Sequence, residues 1–334
     1  GILVFLEAQF AIVSTFLQAR EQIARYAFLS ALRSIGDLAL LALLVLRTTD
    51  LVHLVLAKIG VLVILILWQW AHLRPLRLKL EKPAFSDWLE LKKFIRYGFP
   101  LVPANVVWLL IMLVDRNMLE HYRSIGVVGI YSLADSIALC LLNFSRPINT
   151  VILPKLSVLL TRQSDDVTRY LEKGIKFIYL ILFPALVGII LTGDILVSLL
   201  SSPAFAPAVR PLPLLCIGYF LFSLSYPVYN LVLLQRGGKT MLILSIASLT
   251  INVLLNLLLI PSLGETGAAM ATCCCLLFFV IGLSAYCRVG LGGILRRLAA
   301  ELGRITLAGV GMGLVVCGVR HFLPQMDVAV FPVG

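Results

Sequence analysis

A chain of 334 residues that is 60% hydrophobic and only 13% charged, with a mean hydropathy of +1.00, cannot clothe itself in a water-compatible surface. Soluble domains carry about 25% charged residues, so a soluble enzyme or a soluble binding module is excluded. The net charge of +11 does not point to nucleic acid, because the basic residues fall between apolar runs, as they do in cytoplasmic loops.

Ten runs are long and apolar enough to cross a membrane, at about 20 residues per helical span. They are 1–19, 26–46, 51–71, 97–119, 126–150, 174–200, 211–234, 241–260, 265–287 and 305–322. None has the ten-residue alternation of a membrane barrel, so the expected class is all-α, a polytopic membrane helical bundle. The first run is already under way at Gly1, and the chain reads as a fragment that continues upstream.

Taken in order, the first span carries Glu7. The second holds Arg33 and Asp37, four residues apart and therefore on one helix face. They read either as cavity-lining charges or as a self-neutralising pair. Lys58 stands about two turns into the third span, close enough to an end to snorkel, and is expected as a gate or packing residue. The basic stretch 72–96 follows; its second half has the pattern of an interfacial helix, with Asp87 as cap, Glu90 three residues on, and Trp88, Leu91 and Ile95 toward lipid. A solvated linker helix is the other reading.

The fourth span ends in Asp115 and Arg116, which diverge on a helix, so Arg116 needs another partner. Their place near the span's end suggests a gate or packing pair. In the fifth span, Asp135 has no cation three or four residues away, whereas Arg146, eleven residues on, shares nearly the same face at about 16 Å. Further on, Gly264, Gly267, Ala268 and Ala269 predict a tight turn and then a small-residue face, after a span that Pro261 is expected to stop.

The cations give the orientation. Twenty Lys and Arg fall in or at the edge of the loops after the first, third, fifth, seventh and ninth spans (Lys176 just inside the sixth span), against four (Arg47, Arg123, Arg210 and, at the end of the last span, Arg320) on the other side. The first loop is therefore expected in the cytoplasm. Ionisable residues inside spans are costly and mark function. The expected site is a water-filled cleft lined by Arg33, Arg116 and Arg146, suited to a diphosphate whose oxygens match guanidinium forks. Asp37 and Asp135 are candidates for coupling a proton or Na⁺. The seven cysteines and four histidines show no metal-ligand spacing, so no metal and no cofactor is expected. No Gly-x-x-x-x-Gly-Lys-Ser/Thr motif occurs to drive transport with ATP.

Three strings carry a family resemblance: Phe99-Pro-Leu-Val-Pro103, then Asp115-Arg116, then Val128-Gly-Ile-Tyr-Ser-Leu-Ala134. Together they resemble the seventh and eighth helices of polysaccharide (Wzx-type, O-antigen) flippases. The run from Asn252 through Asn256, Ile260-Pro261, Gly264 and Gly267-Ala-Ala-Met-Ala-Thr272 resembles the same family's eleventh-to-twelfth helix junction. That family belongs to the multidrug/oligosaccharidyl-lipid/polysaccharide exporter superfamily.

The resemblance implies a two-lobe transporter fold, with 1–71 as the last three helices of the N-lobe and 72–96 as a cytoplasmic linker. It makes 97–287 a six-helix C-lobe and 288–334 an additional C-terminal helix. It implies a flippase that moves a polyprenyl-diphosphate-linked oligosaccharide across the cytoplasmic membrane of a bacterium or archaeon by alternating access. Its partners would be that glycan, membrane lipids and other polysaccharide assembly proteins. A cation-coupled multidrug antiporter of the same superfamily is the alternative; it would want carboxylates and aromatics facing a cationic drug. A membrane glycan polymerase or ligase would need acid/base clusters in sizeable outer loops, and the sequence has none.

Overall fold

The computed structural model describes residues 2–19, 22–46, 51–73, 85–163, 166–235, 237–287 and 291–322. Arg20, Arg47, Arg74, Arg77, Lys79, Lys82, Arg236 and Arg288 of the orientation argument lie outside the described residues. The described residues are helical almost throughout, with no strand among them. The chain is a polytopic helical membrane bundle. It divides into two compact units, Gly1–Ser86 and Asp87–Gly334.

The first unit is a three-helix packing of α1 (Ile2–Ala19), α2 (Ile23–Leu46) and α3 (Leu51–Leu73). Its small core is Phe10, Leu17, Leu29 and Leu65, with Tyr26, Val61 and Trp68 against it. Large apolar side chains such as Phe5, Ile12, Leu38 and Ile64 point outward, as they do where the surrounding solvent is lipid.

The second unit holds α4 (Phe85–Gly98) from Asp87 onward, α5 (Leu101–Tyr122), α6 (Ile125–Thr161) and α7 (Asp166–Leu191). It continues with α8 (Gly193–Leu200), a 3₁₀ helix (Pro203–Val209), α9 (Leu212–Leu224), α10 (Tyr226–Leu234), α11 (Gly238–Leu263), α12 (Glu265–Tyr286) and α13 (Leu291–Phe322). Six of the described helices here are long and apolar enough to cross a membrane, or seven if the 3₁₀ segment and α9, bent by 51°, form one span. One continuous core, including Leu119, Leu141, Leu171, Ile178, Leu215 and Phe279, joins them.

Several boundaries differ from the sequence expectation, each for a local reason. The sixth run breaks at Thr192, whose hydroxyl donates to Gly188 O (2.8 Å). Gly193 then lies so close to Leu212 that an added Cβ would sit 2.8 Å from a Leu methyl. The seventh breaks at Ser225, two residues before Pro227, whose ring cannot supply the N–H a continuous helix needs. Pro261 does not stop α11, which runs on to Leu263. Helix α4 starts at Phe85, so Asp87 lies inside it rather than at its cap.

Helix α13 begins well before the expected 305, because its charged first half is paired. Arg297 donates to Glu172 (2.7 Å) and Lys176 pairs with Glu301, both bridging α7 and α13. Hydropathy alone discounts that half. Helix α6 is 37 residues long, about 55 Å at 1.5 Å per residue, so it outruns the hydrocarbon of about 30 Å.

Candidate functional site

The second unit carries a buried polar cluster whose position follows from helix register. Asp115 lies seven residues before the end of α5 and Tyr131 six after the start of α6. Asn256 lies seven before the end of α11 and Thr272 seven after the start of α12. Two helix–turn–helix pairs thus bring four polar side chains to one level, about 10 Å inside the bundle from its turns.

The turns themselves are tied together. Arg123, at the α5–α6 turn, donates to Ile260 O (3.3 Å) and Pro261 O (2.9 Å) at the end of α11. A cation there satisfies the Pro261 carbonyl, shares Ile260 O with the Gly264 N–H (2.9 Å), and offsets the helix dipole. Gly264 follows with φ +58° and ψ −131°, a conformation that only glycine adopts without strain. Gly267 then lets α12 approach: a Cβ there would stand 2.5 Å from Leu259 O.

Asp115 is 2% exposed and accepts three hydrogen bonds, from Thr272 (2.5 Å), Asn256 (2.6 Å) and the Tyr131 hydroxyl (2.8 Å). Asn256 Nδ2 also donates to Asn252 Oδ1 (3.1 Å), while Asn256 Oδ1 and Asn252 Nδ2 are buried without a protein partner. One helical turn deeper on α6, Asp135 is 4% exposed. It accepts from Tyr219 of α9 (2.7 Å) and from Arg116 (3.2 Å). Both carboxylates line a cavity of about 50 Å³, with Trp108, Tyr131, Tyr219, Phe222 and Thr272 among its walls. Trp108, Phe222 and Phe279 form an aromatic cluster on one side, with centroids 5.0–5.8 Å apart.

The expected site residues fall into separate groups. Adjacent Asp115 and Arg116 do diverge: the carboxylate turns to α6, α11 and α12, and the guanidinium takes Asp135. The cation beside Asp135 is therefore Arg116 and not Arg146. Arg146 is exposed on α6, in contact with Tyr226, and among the described residues no carboxylate pairs with it. Asp115, expected near a span end, is a buried node of the bundle.

In the first unit, Arg33 binds Glu7 (2.7 Å) and reaches Asp37 (3.9 Å), while Lys58 stands 3.9 Å from both acids. Lys58 closes a two-acid, two-base network across α1, α2 and α3, a role that no local spacing announces. The sequence did not announce Tyr131, Tyr219, Asn256 and Thr272 as partners of the carboxylates, or Asn252 behind Asn256. Asn252, Asn256 and Thr272 appeared only inside the family-like string, and the polar spacing Asn252–Asn256 within an apolar span was the available signal.

A family model described as "Polysaccharide biosynthesis protein" matches residues 2–160. A protein of Haloferax volcanii named "Probable flippase AglR" is 27% identical over 203 residues, which cover 59% of this chain and 41% of that protein. The match thus spans less than half the length of that relative. The solved structure "Lipid II flippase MurJ, inward closed conformation" superposes with a TM-score of 0.65 at 16% identity, covering 97% of this chain and 67% of that one. At that identity the likeness is one of fold.

Proposed function

We propose, from the match of residues 2–160 to the polysaccharide biosynthesis family model, that the chain is a flippase for a lipid-linked glycan, a transporter that makes and breaks no bond. The finer reading is a polyprenyl-diphosphate-linked repeat unit of an O-antigen, capsule or exopolysaccharide, carried across the cytoplasmic membrane of a bacterium or archaeon by alternating access. Its partners are that glycan, the surrounding lipids and other proteins of polysaccharide assembly. The described relatives support the transport class, and the charge placement supports the mechanism.

The observation that carries the mechanism is the pair of buried carboxylates, Asp115 and Asp135, in the wall of one small cavity. Ionisable groups inside a membrane bundle are retained for transport work. A water occupies about 30 Å³, so a cavity of about 50 Å³ admits a proton-carrying water or a small cation. The same walls supply the carboxylates and aromatics that a drug antiporter would use, but ligand pockets run to about 300–1,000 Å³. Size favours ion coupling at this place over drug binding. Asp135, with Arg116 as its built-in counter-ion, is the coupling residue, and Asp115 holds the helices around it. Asp37 is the corresponding acid of the first unit, held by Arg33 and Lys58. Arg146, exposed and without a carboxylate partner among the described residues, is the cation left to meet a diphosphate.

The test is flipping of a polyprenyl-diphosphate-linked glycan in proteoliposomes under an imposed H⁺ or Na⁺ gradient. Asp135→Asn should retain slow flipping but lose its gradient dependence, and Arg146→Ala should lower flipping at least tenfold with normal insertion. Unchanged gradient dependence in the first variant would refute coupling at Asp135. Normal flipping in the second would remove Arg146 from the substrate path.

A further inference from the structure

The first unit contains a second recess that the cavity of α5, α6, α9 and α12 does not explain. It lies between α1 and α2, has a volume of about 400 Å³, and is walled by Phe10, Ser14, Tyr26, Ser30, Arg33 and Ser34. Two stripes at helical spacing build it. On α1, Ser14 and Thr15 follow Glu7 by about two turns; on α2, Tyr26, Ser30, Arg33 with Ser34, and Asp37 recur every three or four residues. A groove that faced acyl chains would be apolar, since unsatisfied hydroxyls in hydrocarbon are costly. Ser14 is only 8% exposed, yet its Oγ has no protein partner and it belongs to this wall.

The charge of the recess decides what it takes. Arg33 is its cation, but Arg33 already has Glu7 at 2.7 Å and lies 5.0 Å above the Phe10 ring. With Asp37 and Lys58 the network sums to zero. An anion would have to displace Glu7 and face Asp37, which repels it. A neutral polyhydroxylated ligand needs only donors and acceptors: Ser14, Tyr26 and Ser30 offer both, while Thr15 and Ser34, whose protons go to Ala11 O (2.8 Å) and Ser30 O (3.0 Å), offer acceptor oxygens. The volume is that of a small-molecule pocket.

We propose that the α1–α2 recess binds uncharged sugar rings of the translocated glycan, and that its diphosphate is held elsewhere. This rests on the flippase reading and adds which chemical part of the substrate this unit reads. It replaces the expected assignment of Arg33 to the diphosphate with a positioning role: Glu7 and Asp37 hold the guanidinium, and the hydroxyls do the reading.

The experiment uses the full chain with Trp70→Phe, Trp88→Phe and Trp108→Phe, leaving Trp68, which packs on the core next to the recess. Its fluorescence is titrated with glycan released by mild acid from the lipid-linked pool of the cells that make the protein, and separately with inorganic pyrophosphate. The free glycan should give a saturable change, weakened at least tenfold by Ser14→Val with Ser30→Val, and pyrophosphate should give none.

As a check that does not depend on the folding of that variant, Ser34→Cys, in a background with the native cysteines replaced, should react with a membrane-impermeant thiol reagent. The free glycan should slow that reaction, and pyrophosphate should not. A pyrophosphate response that competes with glycan would overturn the proposal in favour of an anion site. An S34C thiol closed to reagent under all conditions would overturn it in favour of a helix covering the groove. Flipping assays separate the two levels of inference. Wild-type flipping with an unchanged KM in the double Val variant removes the sugar site and leaves the flippase; absence of wild-type flipping removes the flippase reading itself.

Discussion

Asp115 shows how a single side chain can organise a membrane bundle. Burying a carboxylate costs several kcal/mol unless hydrogen bonds satisfy it, and here Thr272, Asn256 and Tyr131 donate from three different helices. Removing one donor leaves the other two to hold the charge. Tyr131→Phe should therefore lower stability by about 1–3 kcal/mol, read as a lower melting temperature in detergent. An unshifted melting curve would mean that Tyr131 does not donate to Asp115. Asp135 is held differently, by one phenol and one guanidinium that is partly exposed, so its counter-ion can be exchanged at lower cost. That difference is why Asp115 is assigned to structure and Asp135 to coupling. The sequence placed both carboxylates inside the apolar spans. It could not choose Arg116 over Arg146 for Asp135, because that pairing depends on how α5 rotates against α6.

At the scale of elements, the α11–α12 turn is the clearest link between sequence and packing. Gly264 has positive φ, Gly267 touches the Leu259 carbonyl, and Ala268, Ala269 and Ala271 are fully buried. Small residues permit backbones to approach in lipid, where no hydrophobic effect draws helices together. Gly264→Ala should cost about 1–3 kcal/mol through backbone strain. Gly267→Ala should cost as much through a clash with backbone that cannot turn aside. Thermal unfolding of both variants checks this, and an unaffected Gly267→Ala would show that α12 does not approach α11 this closely. The turn and the small-residue face were readable from Gly and Ala alone, whereas Pro261 pointed to a stop that α11 does not make. The breaks at Thr192 and Ser225 were not, because each sits inside a run that stays apolar on both sides of it.

For the whole molecule, orientation is the property that charge decides. The basic residues concentrate in alternate loops, and the membrane favours cytoplasmic Lys and Arg. A cysteine placed at Ser124, in the α5–α6 turn, should therefore react with an impermeant thiol reagent added outside cells. One at Gln163, beyond α6, should react only after the membrane is opened. The reverse pattern would invert the topology and place the Asp115 level at the cytoplasmic side. These assays need a background in which the seven native cysteines are replaced, since Cys140, Cys274 and Cys317 are exposed.

The amino-acid sequence by itself determined that the chain lives in a membrane, that it is helical, which loops are basic, and which ionisable residues the spans carry. Each of these is set by composition or by the separation of residues along one helix. Only the tertiary structure decided what those charges meet. It joined Glu7, Arg33, Asp37 and Lys58 into a neutral network, gave Arg116 to Asp135, and gathered Asp115 with Asn256 and Thr272 from 141 and 157 residues away. A helix that is apolar nearly all round carries no periodic signal of which face turns inward. The rotation of each helix, and with it the partner of every buried charge, is fixed when the helices pack.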